Sequence, residues 1–211
     1  MPHFSDPTMF AEHVTGIYEK AIHDYHLYDS IDRQIKNPFP PGEIESLFYL
    51  KCWIDTVQWH VEDEIRDPDI NPVEALQYKR RIDHLNQDRT NKVELIDQYL
   101  LSQYNHVQAS ASVPVNTESP AWALDRLSIL ALKIYHMKIE TDRTDATPEH
   151  VEACAQKLHV LNEQRQDLQR SINELLRDIS KGIKRMKLYK QMKMYNDPAL
   201  NPVLYNASKT L

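Results

Sequence analysis

Glycine, cysteine and long apolar runs are scarce in this 211-residue sequence. Three glycines stand beside abundant Leu, Gln, Glu, Lys, Arg and Asp, which points to an all-α protein. The two cysteines, Cys52 and Cys154, form no metal-type cluster and imply no disulfide framework, so a reducing compartment is expected. The opening MPHFSDPTMF has neither a basic n-region nor an apolar h-region, the two marks of a signal peptide. LSILAL at 127–132 is the longest strongly apolar run and is far too short to span a bilayer. There is no glycine-rich phosphate loop, nucleophile elbow or Cys/His zinc pattern. A soluble, cytoplasmic protein is expected.

What is present is helical periodicity and uneven charge. The formal charge is −6, yet residues 177–211 carry +6, leaving −12 on the remainder. A basic end on an acidic body folds back onto it or grips an acidic partner. Phe10, Val14, Ile17, Ala21, Tyr25, Tyr28, Ile31 and Ile35 step by threes and fours, predicting a first helix begun at Asp6-Pro7 and stopped by NPFPPG. Further helices are expected over about 43–66, 72–101, 120–143 and from Pro148, with a loop over 102–119. The last pattern runs on to about Tyr195, roughly 70 Å if unbroken, unless Gly182 provides a C′ turn. The chain is thus read as one domain: an N-terminal segment (1–42), a core (43–180), and a basic C-terminal helix and tail (181–211).

The core contains an internal match. At a constant shift of 76, residues 46–101 align with 122–177, pairing His60 with His136, Glu64 with Glu140, Pro72 with Pro148, Asn86 with Asn162 and Arg89 with Arg165. Shared helix starts and shared phase predict a duplicated antiparallel hairpin, two copies forming a four-helix core with the first segment as an added layer.

Arg89 and Arg165 each fall near the middle of an apolar stripe. A desolvated guanidinium needs partners, and Glu62, Glu64, Asp125 and Glu140 are the acids expected to face it. Three readings follow: internal ion pairs that fix helix register, donors to an anionic ligand between the hairpins, or side chains that snorkel outward. The helix after Pro120 is apolar nearly all round except for Arg126, Lys133, His136 and Glu140. That strip is either its solvent face or, with Arg89, Arg165, Asn86 and Asn162, the lining of a cleft that binds an anion.

Two metal readings stand beside these. His60/Glu64 and His136/Glu140 share i, i+4 spacing, so a pseudo-dyad would gather two imidazoles and two carboxylates, although ordinary helix-surface pairs have the same spacing. Glu64, Asp67, Glu94 and Asp97 resemble the paired i, i+3 carboxylates of all-α nucleotide pyrophosphohydrolases, where Mg²⁺ bridges substrate phosphates. The segment KGIKRMKLYKQMKMY interleaves basic and apolar residues. Docking on the acidic body or on a partner helix is preferred there to nucleic acid or membrane.

WIDTVQWHVEDEIRDP, KRRIDHLNQDRT, NTESPAWALDRLSILALKIYHM, EQRQDL and QMKMYNDPALNPVLY resemble a bacterial family known as domain of unknown function 4254, over roughly Glu43 to Tyr205. The resemblance implies a bacterial protein of unknown function and carries over no reaction, cofactor or catalytic residue. The function expected from the residues is binding of a small anionic ligand or a protein partner, a second copy of the chain included. A Mg²⁺-dependent phosphohydrolase and a helical scaffold with a partner-docking C-terminal helix are the alternatives.

Overall fold

A computed structural model describes residues 7–192, 194 and 197–207. Asp6 and Tyr195, used above to bound helices, and Lys193 of the basic segment lie outside the described residues. A short 3₁₀ turn, Pro7–Met9, leads into α1 (Phe10–His26), followed by α2 (Ile44–Glu64), α3 (Pro72–Gln103), α4 (Pro120–Thr141), α5 (Pro148–Ser180) and α6 (Pro202–Ala207). The fold is all-α, as the composition requires. None of these helices is long and apolar enough to cross a membrane.

Local chemistry sets the starts of α3, α4 and α5. Each opens with proline at its first position, where a missing N–H costs nothing, behind a side-chain cap. Asn71 accepts from the Val73 N–H at 2.8 Å, Ser119 from Trp122 at 3.4 Å and Thr147 from His150 at 3.3 Å. Ser119 is itself anchored, donating its hydroxyl to buried Asp97 of α3, whose other oxygen accepts the Ala121 N–H at 3.0 Å.

Side-chain pairs give the helix directions. Gln58 bonds Asn86 and Asp55 faces Arg89, so α2 and α3 are antiparallel. Lys51 meets Asp125 and Asp55 meets Ser128, so α2 and α4 run parallel. His13 faces Glu45 while His26 meets His60, so α1 is parallel to both. Asn173 bonds the Ala11 N–H, Gln169 bonds Thr15 and Arg165 pairs with Glu19, so α5 runs antiparallel along α1.

These contacts correct the expected layering. α1, α2 and α4 pack against one another in the middle, α3 lies across α2 and α4, and α5 lies across α4 and α1. Among the described residues α3 and α5 are not neighbours, so the two hairpins meet through α4 rather than face to face. The core is made by Tyr18, Ile22, Tyr25, Phe48, Tyr49, Val93, Ile96, Leu124, Leu127 and Leu132, with Ile172 and Leu176 of α5 sealing one end.

Two boundaries differ from the periodicity. α1 stops at His26 rather than near Ile35, and Asp29 turns the chain at φ +49°. Ile31, Ile35 and Phe39 still pack on the core, but from an irregular connection pinned by Arg81–Asp32 and Asn37–Ser46 contacts. Their apolar spacing reflects that packing, not a helix. The fifth helix ends at Ser180, and no helix covers the described residues of 181–195. Gly182 sits at φ +67°, its N–H bonded to Ile179 and that of Ile183 to Asp178, which closes the helix in a Schellman turn.

The basic segment beyond lies on the body. The Arg185 N–H bonds the Pro114 carbonyl, its guanidinium bonds the Val113 carbonyl, and Lys184 reaches Asn116. The Gln191 N–H then bonds Glu94 on α3.

Candidate functional site

Three features meet where α1, α2 and α4 run side by side. Deepest is an ionic network. Lys51 and Asp55 of α2 are fully buried and pair at 2.5 Å; Lys51 also reaches Asp125 of α4 at 2.8 Å. Arg89 of α3 grips both oxygens of Asp125, at 2.7 and 2.5 Å, in a bidentate fork. Ser128 donates to Asp55 at 2.5 Å. Two basic groups thus face two carboxyls, the arrangement that makes charge tolerable away from water.

The two carboxyls titrate differently. Burial raises the Asp55 carboxyl above its ordinary range, more than Lys51 lowers it. Burial also opposes ionisation of Asp125, but its hydrogen bonds and charge contacts with Arg89 and Lys51 outweigh that and hold it below the usual value. The hydrogen bonds from Arg89 to Asp125 correspondingly raise the guanidinium.

One to two turns further along, the ends of the parallel helices gather three histidines. His26, His60 and His136 have ring centroids 5.1, 5.3 and 5.4 Å apart. Tyr25 stacks on His60 at 4.9 Å, Trp59 stacks on His136 at 4.8 Å, and Tyr135 packs on His26 at 4.2 Å. The internal shift pairs His60 with His136, and these two do meet. Burial lowers both, His136 to about 4, with the neighbouring imidazoles adding to the effect. His26 had no partner in the repeat. It is one of two histidines in the last turn of an amphipathic helix, His23 being the other, so nothing in the sequence marked it out.

The third feature is a cleft of about 680 Å³ between α4 and α5, backed by Trp59 of α2. Its walls are mainly apolar, with Met137, Ile139, Val160 and Leu161 among them, and Lys133, His136, Glu140 and Lys157 supply the polar groups. Glu140 is engaged, pairing with His150 at 2.9 Å and Arg143 at 3.0 Å, and these hydrogen bonds lower its carboxyl. Neither Lys133 nor Lys157 has a carboxylate partner among the described residues. The cleft is therefore cationic in balance.

The expected anion set is divided by the structure. Lys133, His136 and Glu140 border this one cleft; Lys157, on α5, was not foreseen. Arg89 points into the network, not the cleft. Arg165 faces α1, pairing with Glu19 at 3.0 Å near the surface. Arg126 is exposed and pairs with Glu118. Asn86 accepts from Gln58, and Asn162 donates to the Leu158 carbonyl of its own helix. No seam between matched hairpins holds both arginines.

Glu64, Asp67, Glu94 and Asp97 do not converge either. Taking the Gln58–Asn86 contact as a level mark, Glu64 lies about 9 Å one way along the bundle and Glu94 about 12 Å the other. Asp67 closes an exposed turn on the Asp69 N–H, Glu94 holds the C-terminal segment, and Asp97 caps α4. Glu140 stands with Arg143 and His150, so the two-histidine, two-carboxylate set is not formed.

Fold and site together define an all-α protein of helices packed on one another, with a buried ionic network, a histidine cluster and an adjoining cleft. The chain belongs to the family described as protein of unknown function (DUF4254), whose sequence model matches residues 45–188. His60, His136 and the whole cleft lie inside that match, and α1 with His26 precedes it. No curated protein and no solved structure matches the chain.

Proposed function

We propose that the protein binds a small amphipathic molecule, an apolar body with an anionic head, in the cleft between α4 and α5. The observation that carries this reading is the pair Lys133 and Lys157, without carboxylate partners, on the rim of a mainly apolar cleft. A volume of about 680 Å³ suits a ligand of drug-like size. Ile139 and Val160 are each nearly half exposed there, and covering them removes apolar surface from water. The lysines supply orientation as point charges on flexible stems and so accept carboxylate or phosphate heads alike.

Decanoate is a suitable probe, with decan-1-ol as its uncharged counterpart, and Trp59 in the cleft wall reports binding by fluorescence. One saturable decanoate site is expected, with weaker binding of the alcohol. Lys133→Met combined with Lys157→Met should cost decanoate at least roughly tenfold, about 1.4 kcal/mol, and erase its advantage. Ala153→Trp should fill the cleft and abolish both. Undiminished decanoate affinity in Ala153→Trp would overturn the assignment.

A further inference from the structure

The parallel course of α1, α2 and α4 brings the C-terminal parts of three helices to one place, and each contributes an imidazole. His26 is the last residue of α1, and His60 and His136 stand in or beside the last turns of α2 and α4. We propose that His26, His60 and His136 form a binding site for a divalent first-row transition-metal ion of the zinc class.

The geometry is close to what such an ion needs. One ligand-competent nitrogen from each ring lies within 4.8 Å of the other two, and the Nε2 atoms of His26 and His60 are 3.1 Å apart. Zinc–nitrogen bonds of about 2.0–2.1 Å at tetrahedral angles place ligand nitrogens roughly 3.4 Å from one another. Small ring rotations close the set. His26 Nδ1 lies 2.7 Å from the Ile22 carbonyl; donating its proton there leaves Nε2 with a free lone pair facing His60. His136 Nε2 is buried without a hydrogen-bond partner, which a metal bond would supply.

The surroundings favour a cation. His26 closes α1, and the partial negative charge of that helix C-terminal end falls at the site. Asp29, held in the left-handed region just past α1, presents its carboxylate 3.9 Å from His60 Nε2, where it offsets the ion's charge or completes its coordination. Asp63 and Glu64 act on His60 from α2, and Asp63 also on His136. Tyr25, Trp59 and Tyr135 pack against the three rings and restrict their rotation, so little ordering is left for the ion to impose. Imidazole suits zinc, cobalt, nickel and copper far better than magnesium.

The test uses the full chain stripped with a chelator. Cobalt(II) titration should saturate at one ion per chain with the intense visible bands of a four-coordinate site, and zinc should displace it. His26→Gln and His60→Gln should each weaken binding on the order of 100-fold or more, since each removes a direct ligand. His84→Gln with His159→Gln, both on exposed helix faces, should leave it unchanged. His26 does not line the cleft, so His26→Gln should keep decanoate binding, which separates failure of this site from failure of the cleft. Its fold is checked by cooperative unfolding and helical circular dichroism. Cobalt that never saturates, or wild-type affinity in folded His26→Gln, would overturn the proposal.

Discussion

Arg89 and Arg165 look alike in the sequence, each an arginine on an apolar stripe, and the structure gives them unlike settings. Arg89 spans from α3 to Asp125 of α4 inside a network that includes fully buried Lys51 and Asp55. Arg165 pairs with one half-exposed glutamate at the edge of α1. Removing one member of a buried pair strands the other charge, at a cost of about 3–5 kcal/mol, whereas exposed pairs contribute less than roughly 1 kcal/mol. Urea unfolding should accordingly find Arg89→Met destabilised by about 3–5 kcal/mol and Arg165→Met by less than roughly 1 kcal/mol. Equal costs would mean that the network does not hold Arg89 as described. The sequence left ion pairing, ligand binding and outward snorkelling open for each arginine and named Asp125 among the candidate acids. It did not disclose Lys51, because a lysine on an amphipathic helix reads as solvent-facing unless the partner carboxylates on other helices are known. His26 was hidden for a similar reason: its meaning comes from two rings on other helices.

At the scale of elements, boundaries written in local chemistry were legible and those written in tertiary contacts were not. Proline behind a capping side chain announced the starts of α3, α4 and α5. Gly182 was one of the ends the sequence left open for α5, and its Schellman turn leads Lys184 and Arg185 back to the 113–116 loop. A Cβ at Gly182 meets nothing closer than Val107 Cγ1 at 3.5 Å, so crowding is not what demands glycine there; the positive φ is. Gly182→Ala should therefore cost roughly 1–2 kcal/mol in thermal or urea unfolding. Gly182→Asn should cost less, because asparagine tolerates that region. A loss much larger than this would point to crowding instead. The end of α1 carried no such signal, since the apolar spacing continues through Ile31 and Ile35 while the backbone leaves the helix.

Across the whole molecule, the matched halves of the chain do not occupy equivalent places. α3 packs on α2 and also on α4 of the other half, whereas α5 packs on α4 and on α1 rather than on α2. A shift of 76 aligns sequence patterns but contains nothing about which faces α1 will cover, and α1 takes the position against α2 that a symmetric pairing would have given to α5. Burial along α5 is nonetheless concentrated at one end, as it is along α3. Cys154 is its only buried residue before Ile172, whereas Ile172, Asn173, Leu175, Leu176 and Ile179 are all buried. The same contrast holds in α4, where nothing after Leu132 is buried. Toward the α4–α5 connection, then, few side chains of either helix are buried, and the cleft lies along that stretch. Local opening costs least where few apolar contacts are broken. Backbone amides of residues 151–168 should exchange with deuterium at least tenfold faster than those of 172–179, although both belong to one continuous helix. Saturating decanoate should slow exchange in 151–161 and leave 172–179 unaffected, because a ligand stabilises only the openings it must leave. Uniform exchange along α5 would contradict that gradient. Slow exchange at 151–161 that decanoate fails to change would count against the cleft while leaving the fold intact.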